Sequence, residues 1–235
     1  MKIKNIIFQI KSLRVNDTLE YLIEKVEKGK EKTFVATINP EIIMLAYADP
    51  EYEKVLKSVD LALTDGIGVV WAGKMFGKPM QARIHGVDLV ERLSEAVAKK
   101  PITVGFLGGR ENVAQRTADR LTQKYPGLRV SFTNSKFEIR NSKFEIPRTD
   151  ILFVAFGSPK QEKWIYENLP KIDVKVAIGV GGSFDFISGK VSRAPVWVRN
   201  LGLEWLFRLI REPWRIKRQL ALPKFVILVL RERFF

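Results

Sequence analysis

Short apolar segments rich in β-branched residues alternate along this chain with longer segments whose apolar residues recur every three to four positions. The first kind is typical of strands and the second of amphipathic helices. Strands that alternate with helices predict an α/β fold, a mostly parallel, Rossmann-like sheet flanked by helices. The predicted strands are 3–9, 33–38, 61–63, 102–107, 129–132, 151–155 and 174–178.

The predicted helices are 17–28, 41–49, 67–76, 87–99, 111–124 and 159–168, with several short helices after Pro195. A chain of 235 residues suits one compact domain with an appendage. We therefore predict an α/β catalytic core over residues 1–192 and a helical C-terminal appendage over 193–235, called the tail below. Ligands of parallel α/β sheets bind beyond the carboxyl ends of the strands, so the residues that follow strands are the candidates for chemistry.

The tail is basic and aromatic. It carries ten arginine and lysine residues against three glutamates, which is half of the net charge of +14, and it also holds seven aromatic residues. A solvated basic face is one interpretation of the charge. Arginine interleaved with aromatic residues suits a membrane interface better, so the composition predicts that the tail binds an anionic membrane surface.

Several site classes and locations are excluded by residues that the sequence lacks. Without cysteine, the chain forms no disulfide, thiolate metal site or cysteine nucleophile. No apolar run approaches the roughly 20 residues that span a bilayer, and the run at 6–10 is too short for the core of a signal peptide, so we expect a cytoplasmic protein. His85, the single histidine, cannot build a multi-histidine metal site, and nothing places it beside a nucleophile. Arg83 is the more promising neighbour, since its guanidinium can hold a phosphate.

Two polar segments follow the second and third predicted strands. Asn39 and Pro40 suit the N-cap and first position of a helix, and the same place directs Thr37 and Asn39 into the predicted ligand crevice. Asp65, followed by Gly66, has two interpretations of equal weight. It is either a turn residue that caps the next helix or a general base that accepts the proton of a sugar hydroxyl.

Two glycine pairs lie after later strands, Gly108 with Gly109 and Gly181 with Gly182. Paired glycines let the backbone approach a phosphate or nucleotide, and Asp185 could then bond a ribose or base. The alternative is a tight turn required by packing. Neither pair forms the GxGxxG or P-loop pattern, so no dinucleotide or ATP fingerprint is present.

The segment from Ser158 to Gln161 predicts a helix start. Ser158, Pro159 and Gln161 fit a capping box with proline at the first helical position, although Gln161 could also face the crevice. A tandem duplication, Asn-Ser-Lys-Phe-Glu-Ile at 134–139 and again at 141–146, predicts a lengthened surface loop or hairpin without chemistry.

Together, the order and identity of these motifs resemble the WecG/TagA/CpsF glycosyltransferases over nearly the whole chain. The motifs are Thr37-x-Asn39-Pro40-Glu41, Asp65-Gly66, Arg83-x-x-Gly86-x-Asp88, Gly108-Gly109, Gly157-x-Pro159-x-Gln161-Glu162, Gly181-Gly182-x-Phe184-Asp185 and, in the tail, Glu204-Trp205, Arg208 and Glu212-Pro213. The resemblance implies inverting transfer of an N-acetylmannosamine-type sugar from a UDP-sugar to undecaprenyl-diphosphate-linked N-acetylglucosamine, in teichoic acid or surface polysaccharide synthesis. Transfer of N-acetylmannosaminuronic acid or another sugar is the alternative within the family.

The resemblance also implies roles for residues. Asp65 would be the general base, with Thr37 and Gln161 lining the sugar site. Asn39, Arg83 and Asp185 would contact nucleotide or sugar. The tail would complete the active site and bind the diphosphate through Arg208, Arg215 and Arg218. The protein would work on the inner face of the cell membrane, and it could form a homo-oligomer.

Metal-independent catalysis is a further expectation. The sequence has no Asp-x-Asp pair of the kind that binds a divalent metal in many sugar transferases. Arginine can replace such a metal because its planar guanidinium holds diphosphate oxygens in bidentate, charge-assisted hydrogen bonds. We therefore expect no metal and no cofactor, with the UDP-sugar as donor substrate.

Two functions of other classes remain open. The net charge of +14 would suit a nucleic-acid-binding protein, but helix-turn-helix, zinc-finger and RNP signatures are missing from the sequence, so we expect no nucleic acid partner. The second is a nucleotide-binding protein that has lost catalysis. Asp65, Gln161 and the tail arginines argue against it.

Overall fold

A single six-stranded sheet organises residues 2–80, 83–135 and 145–235, which are the residues that the computed structural model describes. Its strands are β1 (Thr33–Ile38), β2 (Leu61–Thr64), β3 (Thr103–Gly108), β4 (Arg129–Asn134), β5 (Thr149–Ala155) and β6 (Val174–Gly179). They lie in the order β2-β1-β6-β5-β3-β4, and every pairing is parallel. This arrangement confirms the predicted α/β fold and brings the carboxyl ends of the strands to one edge.

Helices cover both faces of the sheet. They are α1 (Ile3–Gln9), α2 (Val15–Lys28), α3 (Pro40–Ala48), α4 (Pro50–Lys57), α5 (Ile67–Met75), α6 (Gly86–Val97), α7 (Val113–Lys124), α8 (Lys160–Asn168), α9 (Ser183–Ile187), α10 (Val196–Asn200), α11 (Glu204–Arg211), α12 (Ile216–Gln219) and α13 (Ala221–Phe234). Successive side chains of a strand enter opposite cores: Phe34 and Ala36 pack on one face and Val35 on the other. Burial of both faces explains why these strands are apolar without alternation.

The prediction of a strand at 3–9 was wrong, since this segment is helix α1. Ile3, Ile6, Ile7 and Ile10 recur at helical spacing, and all four are buried in one core. The backbone N–H groups of Ile3 and Lys4 donate to the Glu232 carboxylate at 2.8 and 3.0 Å. The first helix is therefore held by the last one, a contact that no local pattern could indicate.

A second helix, α4, was missed. It begins at Pro50, and the Asp49 side chain accepts hydrogen bonds from the N–H groups of Glu51 and Tyr52. Proline ends α3 and at the same time suits the first position of α4, so one long helical segment becomes two. The remaining predicted strands and the six predicted core helices form within two residues of their predicted ends.

The tail begins with short helices and ends in α13. This last helix packs against α1, α3 and α5, and it buries Phe225 and Val229 completely in the core. The division of the chain at residue 192 stays a prediction, but the end of the tail contributes to the packing of the core. Across the described parts of the chain, every helix is too short or too polar to cross a bilayer. Most of the tandem duplication, residues 136–144, lies outside the described residues.

Candidate active site

A cleft of about 1190 Å³ opens at the carboxyl edge of the sheet. Its walls include the segments at the carboxyl ends of the strands, the segment before α6, and tail residues between 199 and 226. Among the residues that line it are twelve of the thirteen predicted site residues: Thr37, Asn39, Asp65, Arg83, Gly109, Gln161, Gly181, Gly182, Asp185, Arg208, Arg215 and Arg218. Their assembly follows from parallel strands, whose carboxyl ends share one edge. Their individual roles stay predictions.

Gly108 is the residue that the structure does not bring into the cleft wall. Its φ of 111° lies in the region that favours glycine, and a Cβ there would lie 2.7 Å from the carbonyl carbon of Ala155. Glycine is therefore required at this position because β3 and β5 approach closely. For Gly108 the structure therefore agrees with the alternative interpretation, a tight turn required by packing.

Asp65 lies at the end of β2, beside Gly66, which is the N-cap of α5. The capping interpretation was wrong, because the N-cap is Gly66 and no described side chain caps this helix. Instead Asp65 Oδ1 lies 3.0 Å from His85 Nδ1, and 22% of each side chain is exposed. The carboxylate thus faces the cleft while one of its oxygens is held by an imidazole.

His85 is the functional candidate that sequence reasoning missed. The backbone N–H of Ile84 donates to the carbonyl of Thr64 at 2.7 Å, so the segment before α6 runs beside the end of β2. The hydrogen bond to Asp65 raises the pKa of His85 against the effect of burial, and the charges of Asp65, Glu204 and Asp88 act in the same direction. The signal in the sequence was its place inside the Arg83-x-x-Gly86-x-Asp88 motif, directly before Gly86.

A buried polar network lies beneath the cleft. Gln161 is only 1% exposed, and its Oε1 accepts the N–H groups of Gly157 and Gly181 at 3.2 and 2.9 Å. Its Nε2 donates to Glu162 Oε1 at 2.7 Å. Gln161 therefore ties together the loops after β5 and β6. Direct contact of this side chain with a sugar stays a prediction.

The capping box predicted around Ser158 was wrong. Ser158 Oγ donates to Glu162 Oε1 at 2.8 Å, and Tyr52 Oη donates to Glu162 Oε2 at 3.0 Å. Burial of a carboxylate is costly unless it accepts hydrogen bonds. The hydroxyl of Ser158 therefore donates to Glu162 and does not cap the helix. Burial raises the pKa of Glu162, although the hydrogen bonds from Gln161, Ser158 and Tyr52 oppose the effect.

The floor beside this network is formed by Thr37 and Asn39. Thr37 Oγ1 donates to the carbonyl of Gly179 at 3.3 Å and is largely buried. Asn39 Oδ1 accepts the N–H of Ile42 at 3.0 Å, which confirms the predicted N-cap with Pro40 at the start of the helix. Both side chains fix the backbone that lines the cleft.

Three arginines of the tail also line this cleft. Arg208 and Arg215 share the Glu212 carboxylate at 2.7 and 3.4 Å, and Arg218 pairs with Glu41. The Arg208 guanidinium lies against Gly182, where a Cβ would come within 2.7 Å of Nη2. Glycine at this position therefore gives the arginine its place above the loop that follows β6.

Arg215, one of these three arginines, has a buried hydrogen-bond donor that no described residue accepts. Its Nε is buried without a hydrogen-bond partner in the described residues. Burial lowers the pKa of Arg215, and the positive charges of Arg208 and Arg218 lower it further. A clustered set of guanidinium groups with an unused buried donor is suited to an anionic ligand.

The start of the tail is clamped to the core by an ion-pair network. Arg193 Nη1 and Nη2 lie 2.6 and 2.8 Å from the two carboxylate oxygens of Asp88, and its Nε lies 3.3 Å from Glu204 Oε1. Arg83 Nη2 also lies 3.5 Å from the carbonyl oxygen of Arg199. In the residues that the structure describes, no three histidine, aspartate or glutamate side chains form a group that could hold a metal ion.

Comparison with known proteins gives consistent findings. The model of the glycosyl transferase WecG/TagA/CpsF family matches residues 3–235. Similar curated proteins carry the name N-acetylglucosaminyldiphosphoundecaprenol N-acetyl-beta-D-mannosaminyltransferase. One from Bacillus spizizenii is 39% identical over 84% of this chain and 79% of its own length. One from Bacillus subtilis is 36% identical over 93% of this chain and 88% of its own length. One from Staphylococcus aureus is 28% identical over 90% of this chain and 87% of its own length.

Proposed function

Because the chain belongs to the WecG/TagA/CpsF family and is a glycosyltransferase, we propose that it transfers an N-acetylmannosamine-type sugar from a UDP-sugar to N-acetylglucosaminyl-diphosphoundecaprenol. The product would serve the synthesis of teichoic acid or a related cell-wall polysaccharide. The names of the similar proteins from Bacillus and Staphylococcus support this choice of sugar and acceptor. The observation that carries the proposal is a carboxylate, Asp65, in one cleft with the three tail arginines.

Inverting transfer requires a base at the attacking oxygen and stabilisation of charge on the departing group. In the proposed reaction Asp65 accepts the proton of the acceptor hydroxyl while the oxygen of that hydroxyl bonds to the anomeric carbon. The bond from that carbon to the UDP oxygen breaks, and UDP leaves with the electron pair. Arg208, Arg215 and Arg218 hold the diphosphate oxygens. One of the donors is the Nε of Arg215, which has no hydrogen-bond partner among the described residues.

The donor would lie over the loops that end β3 and β6. Gly109, Gly181 and Gly182 line the cleft with backbone, which lets a nucleotide approach closely. Asn39, Arg83 and Asp185 would contact the nucleotide or sugar from the surrounding wall. Asp185 Oδ2 lies 3.9 Å from Arg208 Nη2, so the same arginine can order this carboxylate and the diphosphate.

The tail also presents an apolar surface with basic residues around it. Trp197, Ile210 and Trp214 are 66%, 70% and 71% exposed, and none of the α11 side chains, all of which are described, is buried. We propose that this surface lies on the anionic inner face of the cell membrane, where each basic residue would contribute about 1 kcal/mol. Such docking would place the cleft beside the diphosphate of a lipid-linked acceptor.

A donor screen tests the proposed function. The purified chain is given a short-chain lipid-diphosphate-N-acetylglucosamine acceptor and, in separate reactions, UDP-N-acetylmannosamine, UDP-N-acetylglucosamine or UDP-N-acetylmannosaminuronic acid. We expect UDP release, with a disaccharide product seen by mass spectrometry, for UDP-N-acetylmannosamine. A product with the uronate alone would select the other sugar of the family. Steep salt-dependent binding of duplex DNA or RNA, with no UDP-sugar turnover, would instead support the nucleic-acid alternative.

The same assay tests the predicted absence of a metal requirement. We expect the rate in excess EDTA to stay within about twofold of the rate in Mg²⁺, because guanidinium groups neutralise the leaving diphosphate. Initial rates are compared at fixed ionic strength, since salt alone screens arginine–phosphate attraction. Loss of activity in EDTA that Mg²⁺ or Mn²⁺ restores would contradict this prediction.

A further inference from the structure

The imidazole of His85 lies between a carboxylate of the core and a carboxylate of the tail. Its Nδ1 is 3.0 Å from Asp65 Oδ1 and 3.8 Å from Glu204 Oε2. The backbone on both sides of it is fixed. Ile84 bonds to the end of β2, and a Cβ at the buried Gly86 would lie 2.7 Å from Ser183 Oγ. His85 is therefore held at this place by the packing of α6 rather than by its own side chain.

The hydrogen bond to Asp65 has a defined direction. An ionised carboxylate only accepts, so the proton must reside on Nδ1 of His85. One oxygen of Asp65 is occupied by this donor, which leaves the other for the proton of the acceptor hydroxyl. In the described residues, His85 is the one side chain paired with this carboxylate, so its removal would take away the contact that orients Asp65.

Glu204 connects this pair with the tail. Its Oε1 accepts from Arg193 Nε, and Arg193 is in turn held by both carboxylate oxygens of Asp88 on α6. The first turn of α11 is thereby fixed with Oε2 of Glu204 directed at the imidazole. The network exists only when the tail lies on the core as it does here.

We propose that His85 is a positioning residue for the base: its Nδ1–H holds Asp65 with one oxygen free for the acceptor, and the docked tail completes the arrangement through Glu204. This inference rests on the proposed function, in which Asp65 is the base. It extends the active site to a histidine and a tail glutamate that need not touch either substrate.

Substitutions of His85 test the positioning role. His85→Ala is expected to lower kcat by about 10- to 100-fold, as misorientation of a catalytic group does, with KM for the UDP-sugar within about twofold of the wild type. His85→Asn keeps an N–H donor near the same place and is expected to recover most of that loss. Wild-type kcat in His85→Ala would overturn the proposal, and so would equal losses in both variants.

A titration that needs no turnover gives the second measurement. Because the chain has one histidine, tag-free protein labelled with ¹⁵N-histidine shows a single imidazole in its NMR spectrum. The groups that act on it are Asp65, Glu204 and Asp88, with Arg193 paired to the last two and Arg199 acting on Asp88. We expect the wild-type pKa to lie above the ordinary 6.5 and to fall in Asp65→Asn, where burial is less opposed.

Glu204→Gln is expected to lower the pKa of His85 by less than Asp65→Asn does, since Asp65 makes the hydrogen bond. A pKa that is the same in all three proteins would overturn the proposed contacts. The two proposals fail in different ways. Full turnover by Asp65→Asn would remove the proposed base, whereas full turnover by His85→Ala, with Asp65→Asn inactive, would remove only the positioning role.

Discussion

Asp65→Asn is expected to lower kcat by about 10³-fold, within the range that general base catalysis contributes. Asparagine keeps the shape of the side chain but cannot accept the proton of the acceptor hydroxyl. The loss should fall on the chemical step, so the affinity for UDP should stay close to that of the wild type. The measurement pairs steady-state transfer kinetics with UDP binding by calorimetry on the same preparations.

Asp119→Asn is the matched control for this substitution. Asp119 is exposed on α7, where it accepts a hydrogen bond from Gln115, and it lies outside the cleft. The control should retain wild-type kcat. If Asp65→Asn were to lose UDP binding in proportion to its activity, Asp65 would be a binding residue and another group would have to serve as base.

The convergence of the site could be predicted because it depends on topology. Once strands and helices alternate, every strand of the sheet ends at the same edge, and Thr37, Asp65 and Gly181 must meet there. The sequence shows that each of these residues lies at the end of a predicted strand or shortly after it. Twelve of the thirteen predicted site residues therefore line one cleft, even where a local interpretation, such as the capping box at Ser158, was wrong.

The contacts within the site could not be predicted in the same way. The pair of Asp65 and His85 joins residues of two different elements, and it forms because the segment before α6 lies along β2. Gln161 is predicted at the sugar, and the sequence did not indicate that its side-chain oxygen also accepts the N–H groups of two separate loops. Such pairings depend on the positions of three elements at once, which periodicity does not encode.

At the two ends of the chain, the pattern of apolar residues did not show which structure forms or which surface is buried. The run at 6–10 is too short to distinguish a strand from one face of a helix. In α13, Phe225 and Val229 enter the core while Ile227 stays 64% exposed, so one helix serves both the core and the outer surface. Composition alone predicts a membrane interface for the whole tail, because it does not distinguish these two faces of α13.

Arg215→Ala is expected to lower kcat/KM for sugar transfer by about 10²- to 10³-fold, comparable to the loss of one preorganised donor at a site of developing charge. The Nε of Arg215, which is buried without a partner in the described parts of the chain, is the donor that the leaving diphosphate would satisfy. Burial, followed by the charges of Arg208 and Arg218, lowers the pKa of Arg215 in the folded protein. Its removal relieves both costs, and Glu212 keeps its ion pair with Arg208. Thermal unfolding should therefore show no loss of stability while activity is lost.

Arg211→Ala separates the local role from the general charge of the tail. Arg211 is exposed on α11, its guanidinium lies over the Phe207 ring, and it is not among the residues that line the cleft. Both variants lose one positive charge and should lose similar affinity for anionic vesicles, but only Arg215→Ala should lose turnover with a soluble short-chain acceptor. Equal losses in the vesicle-free assay would show that the charge of the tail matters without regard to place, and the diphosphate would then need another binding group.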